Sequence, residues 1–178
     1  INKSQLTILQ GLMKLRQICD SPSIMNEPEK FPNHSIKLEE IGREISENMG
    51  NHKALIFSQF LGMLALIKEK LRELEIDFEY FDGSSSAVER ERAIQRFQND
   101  ENCRVFLISL KAGGVGLNLT AADYVYIVDP WWNPAVEQQA IDRTHRIGQT
   151  KNIFAYRMIC KDTIEDKIIQ LQEKKRIL

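Results

Sequence analysis

Ala54-Leu55-Ile56-Phe57 is a short unbroken apolar run, and Leu64, Ile67, Leu71 and Leu74 follow it at helical spacing. A run of this length without alternation reads as a strand buried on both faces, and the spacing behind it reads as an amphipathic helix. The same pairing recurs downstream. Phe78 to Phe81 is a second strand, after which Ser86 and Glu89 form a capping-box pattern ahead of a helix carrying Arg90, Ala93, Ile94 and Phe97. Val105-Phe106-Leu107-Ile108 is a third strand and leads into a glycine-rich stretch, Lys111 to Gly116. Tyr124 to Val128 is a fourth strand, leading into a helix from Asn133 to Gly148, and Asn152 to Ile159 reads as a fifth. Strands alternating with amphipathic helices imply an α/β fold with a mostly parallel sheet, covered on both faces and joined by right-handed crossovers. In such sheets ligands bind beyond the carboxyl ends of the strands, where the glycine stretch and the last helix both begin.

Outside this alternation, Leu6, Leu9, Met13, Leu15 and Ile18 mark a helix over 3–19, followed by a Pro-containing linker from Ser21 to Asn33 and a further helix from Ile36 to Met49. At the other end, Ile164, Ile168 and Leu171 share one side of a helix that finishes in Lys174-Lys175-Arg176. With 178 residues, 43% of them apolar, the chain is long enough for one sizeable core. It has no apolar run near the ~20 residues that span a bilayer, and no secretory signal pattern, so no membrane partner is expected. It starts without Met and is expected to be a fragment. Its net charge of −1 means that any contact with a polyanion must come from a local patch, which argues against a histone-like or tail-type binder. Cys19, Cys103 and Cys160 are odd in number and far apart, with no zinc-ligand spacing to His34, His52 or His145. A reducing intracellular setting and no metal ligands are expected.

The helix from Asn133 to Gly148 has well-marked ends: Asn133 to cap, Pro134 at the first turn, Glu137 near the positive end of the dipole and Gly148 to close. Spacings of four and three place Gln139, Arg143 and Arg146 on one face. Two guanidiniums and a carboxamide aimed together suit phosphate oxygens, although a solvated surface helix carries the same pattern. Gly113-Gly114-Val115-Gly116 after a strand is open to two readings as well, a bare tight turn or a phosphate contact. It is not a P-loop, since Leu117 and Asn118 follow the last glycine, and a dinucleotide fingerprint would need glycine where Leu119 stands. No acidic pair for magnesium is evident.

Taken together, five stretches resemble, in order, the C-terminal motifs of Swi/Snf-type ATPases, the double-stranded-DNA translocases of helicase superfamily two. They are A-L-I-F-S-Q-F from Ala54, Y-F-D-G-S from Tyr80, I-S-L-K-A-G-G-V-G-L-N-L-T-A-A-D from Ile108, D-P-W-W-N-P from Asp129 and Q-Q-A-I-D-R-T-H-R-I-G-Q from Gln138. L-R-Q-I-C from Leu15 resembles the segment entering that lobe. The resemblance implies the second RecA-like lobe of a two-lobe motor, a three-layer α/β/α unit without the P-loop, which lies in the first lobe. In that family ATP sits between the lobes, and arginines of the last motif reach across the cleft. Arg143 and Arg146 match those arginines and Gln139 the glutamine that opens the motif, so the resemblance makes these three catalytic. An arginine from across a cleft is worth on the order of 10³ to 10⁵ in phosphoryl-transfer rate.

The remaining roles follow by the same resemblance. Gly114, Gly116 and Asp129 fall to ATP binding and coupling. Ser58, Gln59, Gly83, Ser84, Ser109, Lys111, Ala112 and Gly113 fall to DNA contact, with Leu110 standing where many relatives have threonine. Arg90 is a further phosphate candidate or a solvated arginine, and Trp131 and Trp132 are packing residues beside the cleft. The implied division is residues 1–35 as helix and linker from the first lobe, 36–160 as the second lobe and 161–178 as a helix bracing the two. ATP with Mg²⁺ is expected to be held chiefly by the first lobe, which, with double-stranded DNA, is the expected partner; alone, this chain is expected to be inactive. A bacterial cytoplasm is the favoured setting, a nucleus if the source is eukaryotic. The alternative reading is a DNA-binding or protein-interaction module that kept the fold and lost the motor.

Overall fold

The computed structural model describes residues 2–27, 30–112, 117–145 and 150–177. The described strands are β1 (Lys53–Ser58), β2 (Phe78–Phe81), β3 (Val105–Ser109), β4 (Ala122–Ile127) and β5 (Phe154–Arg157), and they form one sheet in the order β2-β3-β1-β4-β5. Every pairing is parallel, with Ala54 opposite both Val105 and Tyr124. The helices are α1 (Lys3–Asp20), α2 (Ile36–Arg43), α3 (Leu61–Glu73), α4 (Ala87–Asn99), α5 (Pro134–Asp142) and α6 (Ile164–Ile177).

The period of two along each strand divides its side chains between two cores. Ala54, Ile56, Leu107 and Tyr126 face one way and pack against Ile41 of α2 and Met63, Leu64, Ile67 and Leu71 of α3. Leu55, Phe57, Phe106, Ile108 and Val125 face the other way, against Ala93 and Phe97 of α4 and Ala140 of α5. Phe106 lies between Phe81 and Phe97, with ring centroids 5.4 and 5.3 Å away. Helices on both faces of a parallel sheet make the three-layer α/β/α arrangement, and they explain why β1 and β3 have no polar face. At the edge, β5 is exposed along its length. None of the described helices is long and apolar enough to cross a membrane.

Two elements end earlier than their sequence patterns suggest. The helix expected over 36–49 is regular only to Arg43 and continues as one wide turn, Glu44–Asn48, closed by Met49 N donating to Glu44 O at 3.0 Å. The widening keeps Ile41, Ile45 and Met49 together in the core. The helix expected over 133–148 stops at Asp142. There the Ile141 carbonyl accepts both the Thr144 amide, at 3.1 Å, and the Thr144 hydroxyl, at 2.7 Å, while the Arg143 carbonyl accepts the Leu119 amide at 3.0 Å. Tightened bonds of this kind terminate a helix, so Arg143 is its C-cap rather than a mid-helix residue.

Candidate functional site

All described strands being parallel, their carboxyl ends lie along one edge of the sheet, and the chain leaves β1, β2, β3 and β4 there with candidate residues. At the end of β1, Ser58 and Gln59 are buried and turned toward the loop after β4. The Ser58 hydroxyl donates to Asp129 Oδ2 at 2.5 Å and the Gln59 amide donates to Asp129 Oδ1 at 2.9 Å. Gln59 Nε2 donates to the Pro130 carbonyl at 3.4 Å. Both side chains expected to contact DNA are thus occupied inside the lobe, where they hold the Asp129-Pro130 loop. Asp129, 0% exposed and with both oxygens accepting, does not fit a magnesium ligand.

Beyond β2, Asp82 organises the turn that carries Gly83 and Ser84. Its Oδ1 accepts the Ser84 amide at 2.8 Å and the Ser84 hydroxyl at 2.6 Å, and these bonds, the hydroxyl first, hold its carboxyl below the usual carboxylate range. Gly83 and Ser84 are exposed, and Gly83 has open space where a side chain would be. Arg90 is half-buried: its Nε donates to the Ser85 carbonyl at 3.1 Å and its guanidinium lies 5.4 Å from the Phe81 ring centroid, which makes it a brace for this turn. Past β3, Ser109 and Ala112 are buried and Lys111 is exposed. Gly113, Gly114 and Gly116 lie outside the described residues, as does Arg146.

Strand order separates the candidates. β2 and β3, on one side of β1, lead to Gly83, Ser84, Ser109, Lys111 and Ala112, expected to meet DNA; β4 and α5, on the other side, lead to Asp129, Gln139 and Arg143, expected at the ATP site. β1 lies between, with Leu110 N donating to Ser58 O at 3.0 Å on one flank and Val128 N to Phe57 O at 3.0 Å on the other. Starting from the carboxyl edge, α5 must run back across the sheet to reach parallel β5. At the end of α5 the half-buried Arg143 meets Leu119, in the segment that leaves the glycine stretch, and Gln139 one turn earlier is exposed.

A second group of polar residues at this edge was not legible in the sequence. Arg16 of α1 is 4% exposed and donates to the Pro130 carbonyl at 3.0 Å, with its guanidinium 5.6, 5.9 and 5.4 Å from the rings of Phe60, Trp131 and Trp132. The two tryptophans pack, as expected, but around a buried cation. Lys37 of α2 donates to Asp20 Oδ1 at 3.0 Å, to Glu165 Oε2 at 2.7 Å and to the Val128 carbonyl at 2.6 Å. Burial works against the Lys37 ammonium, but Asp20 and Glu165 outweigh it and hold its pKa above the usual lysine range. Burial, then repulsion from Asp129, pushes the Asp20 carboxyl well up, and its Oδ2 finds no donor among the described residues. Glu137, expected near the positive end of the helix dipole, is buried as well. It accepts the Trp131 amide at 3.3 Å and Gln172 Nε2 of α6 at 3.1 Å. The only sequence signal for this network was the Arg16 of the L-R-Q-I-C stretch; Lys37, Glu165 and Gln172 look like ordinary helix-surface residues.

The helicase conserved C-terminal domain model matches residues 36–148. The helicase-like transcription factor CHR28 of Arabidopsis thaliana is 50% identical over 129 residues, covering 72% of this chain and 13% of that protein. An ATP-dependent helicase of Mycoplasma pneumoniae is 43% identical over 180 residues, 99% of this chain and 17% of its own length. The chain thus spans under a fifth of these curated relatives. Among solved structures, the SWI2/SNF2 ATPase C-terminal domain of Sulfolobus solfataricus superposes with a TM-score of 0.76 at 35% identity, covering 96% of this chain and 70% of that one. The C-terminal part of the Fun30 ATPase domain gives 0.74 at 36% identity, covering 80% and 48%. With the all-parallel three-layer sheet and the motif order, these likenesses agree: the chain belongs to the helicase conserved C-terminal domain family, and within it to the RecA-like C-terminal lobes of SWI2/SNF2-type ATPases.

Proposed function

We propose that this chain is the second lobe of an ATP-dependent translocase on double-stranded DNA, and that it supplies Arg143 and Arg146, organised by Gln139, to the phosphates of an ATP held by the preceding lobe. The observation that carries the reading is the placement of the last motif. Its Arg143 backbone is bonded to Leu119 of the segment leaving the glycine stretch, and Gln139 on the same helix is exposed. Relatives named as ATP-dependent helicases and as the DNA repair protein rad8 of Schizosaccharomyces pombe support ATP use and a DNA substrate. The magnesium ion belongs to the other lobe, because Asp129 is saturated and the candidate metal cluster among the described residues, Cys19, Cys160 and Glu165, is thiol-rich rather than an oxygen cage.

In this reading the duplex runs past Gly83, Ser84 and Lys111, the exposed members of the candidate set among the described residues, while Ser58, Gln59, Ser109 and Ala112 carry displacement between the β2–β3 and β4–α5 sides through β1. Residues 1–35 and 161–178 clasp the lobe to the rest of the protein, and the working compartment is the one that holds the DNA. The test is steady-state ATPase activity with and without duplex DNA. Full-length protein should show DNA-stimulated turnover, Arg143→Ala and Arg146→Ala should lose about 10³-fold or more in kcat, and the isolated chain should be silent. Near-normal turnover in both arginine variants would remove the assignment, and turnover by the isolated chain would remove the two-lobe site.

A further inference from the structure

Cys19 and Cys160, which the sequence places 141 residues apart, meet in the fold. Cys19 stands at the last turn of α1 and Cys160 just before α6, and their sulfurs lie with a Glu165 oxygen inside a sphere of 4.8 Å mutual distances. Cys160 Sγ also lies 3.3 Å from the Cys19 carbonyl, which accepts its proton. Both thiols are half-exposed, and each opens to a different groove. Cys19 lines one of about 770 Å³ between α1 and α6, with Leu15, Thr163 and Lys167; Cys160 lines another of about 850 Å³, with Ile36, Tyr156 and Met158. The third thiol, Cys103, is fully buried.

The trio is not a natural cation site. Glu165 Oε2 already accepts the Lys37 ammonium at 2.7 Å and Oε1 accepts the Cys160 amide at 2.8 Å, so its carboxylate is saturated and the positive charge is already in place. What remains available is thiol chemistry, and the same ammonium favours the thiolate form of the pair. We propose that Cys19 and Cys160 are a modification site, a dithiol that closes to a disulfide when a peroxide enters the groove beside α1. Cys19 is the attacking sulfur. The bond it shares with the Cys160 thiol draws it down to about 7, whereas burial pushes Cys103 up to about 11.

The chemistry balances in two steps. The Cys19 thiolate attacks one peroxide oxygen, the O–O bond breaks, hydroxide leaves and takes up a proton, and Cys19 becomes a sulfenic acid. The Cys160 sulfur then attacks the Cys19 sulfur and gives up its proton, the sulfenic oxygen departs as water, and the S–S bond forms. Two thiols lose two electrons, and hydrogen peroxide becomes two waters. The bond ties the helix carrying Arg16 and Asp20 to the segment just before α6, whose first turn carries Glu165, the two sides bridged reversibly by Lys37 in the reduced protein. The inference does not depend on the translocase reading.

The experiment is peptide mapping by mass spectrometry of the full-length protein after treatment with hydrogen peroxide and alkylation of the remaining thiols. The expected result is a Cys19–Cys160 cross-linked peptide that dithiothreitol releases, with Cys103 alkylated and roughly tenfold or more slower to react. Cys103→Ser should keep the cross-link; Cys160→Ser should abolish it and leave a Cys19 sulfenic acid that dimedone traps. Cys19 and Cys160 both still alkylated after peroxide, or cross-linked to other cysteines instead of each other, would overturn the proposal.

Discussion

Arg16 and Arg143 are both helix-borne arginines, near the end of α1 and at the end of α5, and the fold treats them in opposite ways. Arg16 is shut among Phe60, Trp131 and Trp132 with its hydrogen bond to Pro130, inside a group that also holds Lys37, Asp20, Asp129 and Glu165. Arg143 lies half-buried beside exposed Gln139. A charge whose partners all come from its own lobe is part of the architecture, and removing it leaves its partners buried and unmatched. Arg143 is half-buried at a motif shared with ATPases, and the role proposed for it is in turnover rather than in folding. The comparison separates residues whose loss should cost turnover from residues whose loss should cost folding.

The largest effect expected is on turnover. In the full-length protein, Arg143→Ala should lower DNA-stimulated kcat by about 10³-fold, equivalent to ~4 kcal/mol of transition-state stabilisation. Steady-state kinetics beside urea unfolding would break the comparison if stability fell instead and turnover stood. Next is Lys37→Met, which strands Asp20 and Glu165 without their cation and should destabilise the lobe by about 3–5 kcal/mol, read as a lowered urea midpoint. Arg16→Ala should cost about 2–3 kcal/mol, from a charged hydrogen bond and its stacking on the aromatic rings; a value near zero would mean that the aromatic box closes without it.

Smaller is a pH effect. The folded lobe holds a proton on Asp20 more tightly than the unfolded chain does, because of burial and then Asp129. The stability linked to that proton is complete below the unfolded carboxylate pKa of about 3.9 and is lost as pH rises through the raised folded value. Glu165, raised chiefly by burial, acts in the same sense. Asp20→Asn keeps an oxygen for Lys37 and leaves two carboxylates against two cations in the cluster. Its urea midpoint should therefore decline less between about pH 4 and 7 than that of the parent chain; equal slopes would remove Asp20 as the titrating group. The smallest effect belongs to Arg43, paired with Glu40 on the surface of α2. Arg43→Ala should leave the urea midpoint essentially unchanged in the same assay.

The strands were legible because their signal is local. Phe78–Phe81 forms where the sequence places it, and β1 and β3 differ from their apolar runs by one or two residues at the ends. Alternating core faces need only neighbouring side chains to be read. The end of α5 was not legible: nothing near Arg143 announces that Leu119 will take its carbonyl. Ser58 and Gln59 match a motif, but a motif does not say that Asp129 claims both of them. The thiols show the same limit. Three widely spaced cysteines showed no zinc-ligand spacing and gave no sign of a neighbour, yet Cys19 and Cys160 stand together.

The sequence by itself determined the α/β class, the parallel sheet, the family and the position of the last motif, since periodicity and ordered motifs survive without coordinates. Only the tertiary structure decided which charges are sealed. Lys37 and Arg143 look alike in a sequence, each a cation on an amphipathic helix. Lys37 is sealed by partners far away along the chain, 17 residues off in Asp20 and 128 in Glu165. Burial of a charge depends on those long-range matches, because desolvation makes an unmatched one too costly to keep.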